Sequence, residues 1–194
     1  MLNIDLLKQL REQTGISMME CKKALEESNG DLKRAKEILR EKGKELIKGR
    51  ESRAAGKGII KSYIHANGKI GVLLQINCES DFVAKSEPFI SLAHELCLQI
   101  AASVPLFVKT SEISEALLEQ EKKIYRKQFA DSGKPAEMLE KIVNGKLEKY
   151  KKEVSLLSQP WVKDPNKTVQ ELVEEARVKT GENIEVVRFT RFEV

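Results

Sequence analysis

Apolar residues alternate along the middle of the chain: Ile70, Val72, Leu74, Ile76 and Cys78 share one side of an extended segment. A period of two predicts a strand with one buried face. Residues from Ile59 to His65 read as a second strand. Asn67-Gly68 lies between the two and predicts a hairpin, because both residues tolerate positive φ. A third β-rich run, Ile184 to Phe192, is expected to pair with that hairpin.

The rest of the pattern is helical. Asn3 is placed to cap a first helix carrying Leu6, Leu7 and Leu10, and Thr14-Gly15 breaks it. Ser17-Met18-Met19-Glu20 has the capping-box form, and Cys21, Ala24 and Leu25 follow on one side. Asn29-Gly30 turns the chain, and Asp31 caps a third helix with Leu32, Ala35, Ile38 and Leu39. Ser86 and Pro88 open a helix whose buried face is Phe89, Leu92, Ala93, Leu96 and Ile100. Ser111 opens another, with Ile113, Leu117, Ile124 and Tyr125. Asp131 to Pro135 is a turn, and Met138, Leu139, Ile142 and Val143 continue the stripe, which predicts a helical hairpin. Leu156 to Asn166 reads as a loop holding Trp161. Thr168 and Glu171 form a second capping box, and Gly181 closes that helix. Helices segregated from three strands predict an α+β fold. The expected domains are a three-helix bundle over residues 1–42, a basic linker over 43–57 and a core domain over 58–194.

The alternation stops at Asn77-Cys78-Glu79-Ser80-Asp81-Phe82-Val83-Ala84. An acid and a large aromatic arrive together, just before a helix. A Phe at a strand end more often belongs to the core. An Asp there more often caps a turn. If Phe82 instead projects, strand and helix hold it from both sides as a probe for another molecule. Met18 and Met19 are adjacent and cannot share one core stripe, so at least one is expected at the surface.

Composition narrows the function classes. Charged residues make up 33% of the chain and aromatics 5%, with a formal charge of +4. Basic and acidic residues are interspersed, so the charge does not demand nucleic acid. Residues Arg40 to Lys61 are rich in Lys and Arg, with Gly43, Gly49, Gly56 and Gly58 expected to interrupt any helix. No aromatic interleaves with those charges, which favours a hinge over an RNA site. Gly56-Lys57-Gly58 lacks the third glycine of a dinucleotide loop and precedes its strand, and no P-loop occurs, so no direct nucleotide binding is expected. His94 and Cys97 stand three apart on a helix without a second ligand pair, so neither a metal site nor a Cys–His nucleophile is supported. Cys21, Cys78 and Cys97 show no disulfide framework, and no leader or membrane span is read, so a reducing cytoplasm is expected.

Ser80-Asp81-Phe82-Val83 resembles the Thr/Ser-Asp-Phe-Val signature of elongation factor Ts. Leu10 to Gly15, running on into Met18 to Leu25, is similar to that family's N-terminal signature. Gly133-Lys134-Pro135, Gln159-Pro160-Trp161-Val162 and Asp164 to Val169 are similar to its later blocks, in the same order. Ile16 and Ser17 depart from the usual motif, where Ala and Gly are common.

The resemblance implies an exchange factor without covalent chemistry and without a cofactor. It implies a ubiquitin-associated-like N-terminal domain and elongation factor Tu as the partner. Leu10, Thr14, Gly15, Met18, Met19 and Lys22 would dock on the G domain of Tu. Ser80, Asp81, Phe82 and Val83 would form a wedge that disturbs its Mg²⁺ and GDP site. No second copy of the Ile70–Ala84 pattern is found, which matches short family members that act as dimers. The C-terminal segment Arg188 to Phe192 lacks the Cys that links some of them, so the dimer would be non-covalent. Two other classes stay open: a general protein-binding module, and a ribosome- or RNA-associated factor.

Overall fold

The computed structural model describes residues 4–47, 49, 52–129 and 135–194. The expected cap at Asn3 and the turn at residues 131–134 lie outside them.

Three helices open the chain: α1 (Ile4–Thr14), α2 (Met18–Glu27) and α3 (Leu32–Ile47). Their apolar stripes meet in a small core that includes Leu7, Leu10, Cys21, Leu25, Ala35 and Leu39. Ser17 caps α2 by accepting from the Glu20 backbone N–H at 3.4 Å. The expected capping box is only half made, because the Glu20 carboxylate turns to Lys23 at 3.1 Å. Asp31 caps α3 through Lys33 and Arg34 N–H, at 2.8 and 3.1 Å. Gly43 does not interrupt that helix, which runs past the expected boundary at residue 42. A single Gly costs about 1 kcal/mol in a helix, and Glu41, Lys42, Lys44 and Glu45 around it are good helix formers.

The core domain is built on strands β1 (Lys57–Ile64), β2 (Ile70–Cys78) and β5 (Ile184–Glu193), antiparallel in the order β1-β2-β5. The hairpin turn spans His65 to Gly68, with Gly68 N–H donating to the His65 carbonyl at 2.8 Å and φ positive at Gly68 alone of the Asn-Gly pair. Val72, Leu74, Ile76 and Cys78 bury one face of the sheet against α5 (Glu87–Ser103) and α8 (Val169–Thr180). In β5 a bulge skips Val187, so Gln75 pairs with Arg188 and Ile76 with Val186. The skip lets Ile184 and Val186, and beyond it Phe189, all face the core.

Helices α6 (Glu115–Phe129) and α7 (Ala136–Val154) form the expected hairpin, pinned by the Arg126 guanidinium on Glu140 at 2.7 and 3.2 Å. The first is opened by Ser114, not Ser111, which lies in a short 3₁₀ turn over Thr110–Glu112. The expected loop around Trp161 contains two short paired strands, β3 (Pro160–Trp161) and β4 (Asp164–Thr168). The reciprocal Thr168–Glu171 capping box is complete, and Gly181 ends α8 at φ 76°. Bundle and core meet on α8: Val178 packs into the bundle's apolar cluster, and α3 touches α8.

Candidate functional site

Phe82 stands in a one-turn helix, α4 (Asp81–Ala84), between the end of β2 and α5. It is 89% exposed, the most exposed aromatic among the described residues. Burial statistics pointed the other way; the reason is local. The strand's inward phase ends at Cys78, and Ala84, two residues after Phe82, is the residue of the turn that enters the core. Val83 packs partly beneath. An aromatic this exposed on an ordered turn is suited to contact with another molecule.

The turn is held from three directions. Ser80 caps α4, its Oγ accepting from the Val83 N–H at 3.3 Å. The same hydroxyl donates to Glu182 Oε1 at 2.5 Å. Glu182 Oε2 accepts from the Glu79 and Ser80 N–H groups at 3.1 and 2.9 Å. Glu79 answers by accepting from the Asn183 N–H at 2.6 Å. Lys57 pairs with Asp81 at 3.5 Å, and Arg53 with Glu79 at 3.6 Å. Asn77 and Asn183 donate to the carbonyls of Ala55 and Arg53, at 3.0 and 2.8 Å, which straps the end of the linker onto the same corner. Under the turn, the Cys78 thiol donates to the Ser80 carbonyl at 3.2 Å. Burial, reinforced by the Glu182 carboxylate, pushes that thiol's pKa up, so it stays a neutral donor.

The second candidate surface is the α1–α2 loop. Gly15 takes φ 67° and its N–H closes on the Arg11 carbonyl at 2.7 Å. The Thr14 hydroxyl bonds the Leu10 carbonyl at 2.7 Å and accepts from the Ile16 N–H at 3.3 Å. Met19 is 63% exposed, while Met18 packs partly against the bundle core. Lys22 is exposed and lies 3.8 Å from Glu26. Leu10 is 0% exposed and supports the loop from inside. Ile16, where the motif departs from the usual one, is buried in the same cluster.

The chain matches the family model described as Elongation factor TS over residues 5–194. The chain belongs to the elongation factor Ts family. It is 50% identical to the elongation factor Ts of Coprothermobacter proteolyticus over 191 residues, 98% of this chain and 97% of that protein. It is 48% identical to that of Carboxydothermus hydrogenoformans over 194 residues, 100% of this chain and 89% of the relative. With that of Thermotoga neapolitana the identity is 50% over 192 residues, 99% and 96% of the two chains. Membership of the elongation factor Ts family places the chain among translation elongation factors.

His94 is exposed while Cys97 is buried, so the pair does not converge on one ion. Among the described residues no group of three His, Cys, Asp or Glu side chains is placed to hold a metal, and no helix is long and apolar enough to cross a membrane. Glu182, Lys57 and Asn183 are the residues that sequence reasoning missed. The capped turn after Gly181 was visible, but nothing in a linear reading ties it to Ser80.

Proposed function

We propose that this protein promotes release of GDP from elongation factor Tu, acting as an exchange factor with no covalent chemistry of its own. The observation that carries the reading is the exposed Phe82 ring on a turn held by Glu182 and Ser80. The ring wedges between elements of the partner's G domain beside its Mg²⁺ site. Asp81 supplies the polar contact next to it. Met19, Lys22 and Gly15 dock the bundle on the same domain and supply binding energy that need not distort the nucleotide site.

Bound Ts and bound GDP favour different conformations of Tu. The coupling is reciprocal: GDP weakens Ts by the factor by which Ts weakens GDP. Burying one Phe contributes ~1.5–3 kcal/mol, and each ~1.4 kcal/mol is tenfold in rate. Phe82 alone therefore accounts for roughly ten- to a hundredfold of the acceleration. The test is release of a fluorescent GDP analogue from Tu. Phe82→Ala is expected to slow stimulated release by about tenfold or more without abolishing it. Release at the wild-type rate would remove the wedge from the mechanism. No stimulation by the unaltered protein would overturn the exchange reading itself.

The same reading includes a non-covalent homodimer, formed by the open face of the sheet. The burial of all three cysteines supports the non-covalent part of it.

A further inference from the structure

We infer that Glu182 is the positioning residue of the Phe82 wedge; the inference rests on the exchange reading above and names the group that aims the wedge. With Phe82 89% exposed, almost nothing packs against it, so its direction is set by the backbone alone. That backbone is a four-residue helix. So short a helix does not persist by itself, since nucleation is not repaid over one turn. Its geometry depends on its cap, Ser80, and on the two N–H groups that enter it.

Glu182 holds each of these. One oxygen accepts both backbone N–H groups, of Glu79 and Ser80, and the other accepts the Ser80 hydroxyl, which caps Val83 in turn. A carboxylate is suited to this: three donors converge on it, and charged acceptors make the shorter, stronger bonds. The carboxylate is itself well anchored. It sits directly after Gly181, whose N–H closes α8 on the Arg177 carbonyl at 2.8 Å. Its neighbour Asn183 is tied to Glu79 and to Arg53. The same end of α8 reaches the other docking surface. Val178 packs into the bundle core, and the Lys179 stem lies where a Gly15 Cβ would meet it at 3.6 Å. One helix end therefore sets the aim of Phe82 and its spacing from the α1–α2 loop.

The bland alternative is that Glu182 only fastens β5 to β2. The two roles part in four measurements on the full chain: saturating rate of GDP release from Tu, half-saturating concentration, the double-mutant cycle with Phe82→Ala, and amide hydrogen exchange without Tu. In Glu182→Gln, positioning predicts a saturating rate about tenfold lower. The half-saturating concentration stays within about twofold, because the bundle still docks. Adding Glu182→Gln to Phe82→Ala then slows release no further, since there is no ring left to aim. The Glu79 and Ser80 amides exchange about tenfold faster or more, while Leu74 in β2 is unchanged. Ser80→Ala, which removes one of the three Glu182 bonds together with the Val83 cap it supports, shows the same pattern at a few-fold or more, and it carries the test if Glu182→Gln does not fold.

A wild-type saturating rate in Glu182→Gln, or a loss that multiplies with that of Phe82→Ala, overturns the proposal and leaves a fold staple. If the unaltered protein does not stimulate Tu, the exchange reading falls separately. Amide exchange then still decides: unchanged protection at Glu79 and Ser80, or protection lost at Leu74 as well, overturns the positioning role, and loss confined to the turn sustains it.

Discussion

Cys97 is fully buried on α5, with its thiol 3.9 Å from the Lys61 carbonyl. Burial pushes its pKa up to about 11, only partly offset by Lys61. Below about pH 9 the thiol is protonated in both folded and unfolded chains, so it adds no pH dependence there. Between about pH 9 and about pH 11 the unfolded thiol ionises while the folded one keeps its proton, so stability falls as pH rises. The expected slope is about 1.4 kcal/mol per pH unit from this one group. Urea midpoints of the wild type and Cys97→Ala, followed across that range, read it directly. The difference between the two proteins should shrink as pH rises; a constant difference would mean the thiol ionises freely in the fold. The sequence made this residue legible as a core position, because it sits beside Leu96 in an apolar helical stripe. Phe82 was legible only as an alternative, since a linear pattern does not say on which side of a turn a ring emerges. Glu182 was not legible at all: its partners lie more than a hundred residues away.

At the scale of elements, helices were read from their periodicity and caps, and those signals are local. Thr168–Glu171 formed as a full capping box; Ser17–Glu20 formed half of one, because Lys23 offered Glu20 a competing partner. The misplaced helix start at Ser111, the uninterrupted helix through Gly43 and the β3–β4 pair in an expected loop share one cause. Each was decided by neighbours rather than by the residue itself. The β1–β2 hairpin carries a constraint of the same kind at Gly58. It has φ 152°, opposite Asn77, and a Cβ there would lie 2.2 Å from the Ile76 carbonyl oxygen. Backbone does not yield as a side chain does, so Gly58→Ala forces the strands apart just before the wedge. A loss of about 2 kcal/mol or more is expected, from strain and overpacking together. Gly56→Ala is the control: nothing lies within 4 Å and its φ is unstrained, so it should stay within about 0.5 kcal/mol. Equal denaturation midpoints for the two variants would show that the strand end relaxes freely around the new methyl.

At the scale of the whole molecule, the sequence announced two units but not that one helix end, on α8, joins them. It also gave little warning of how apolar the outer face of the sheet would be. Four rows cross that face: Gly58–Asn77–Glu185, Ile60–Gln75–Arg188, Ser62–Leu73–Thr190 and Ile64–Gly71–Phe192. Ile60, Ile64, Leu73 and Phe192 are 71, 66, 49 and 64% exposed. Gly71 leaves room for the Ile64 side chain, whose Cδ1 would stand 3.2 Å from a Cβ there, so the surface between the outer strands is low and broad. Exposed apolar side chains on one sheet face suit an interface. Twisted sheets stack face to face when their inner side chains interdigitate. If a second copy is the partner, as proposed above, it offers a face of the same shape and chemistry, and a two-fold axis near Leu73 would bring Leu73 against its own counterpart. Leu73→Lys would place two like charges together in that contact, with no acidic residue in its own row or the two rows beside it; the acid of the face, Glu185, stands two rows away and pairs with Lys109. Sedimentation equilibrium is expected to give twice the protomer mass of 22.0 kDa for the wild type and the single protomer mass for Leu73→Lys. The variant should keep its helical signal, because the substituted side chain points away from the core. A wild type that sediments as a protomer would leave the apolar face to another partner, and a dimer that survives the lysine would place the two-fold axis elsewhere on the molecule.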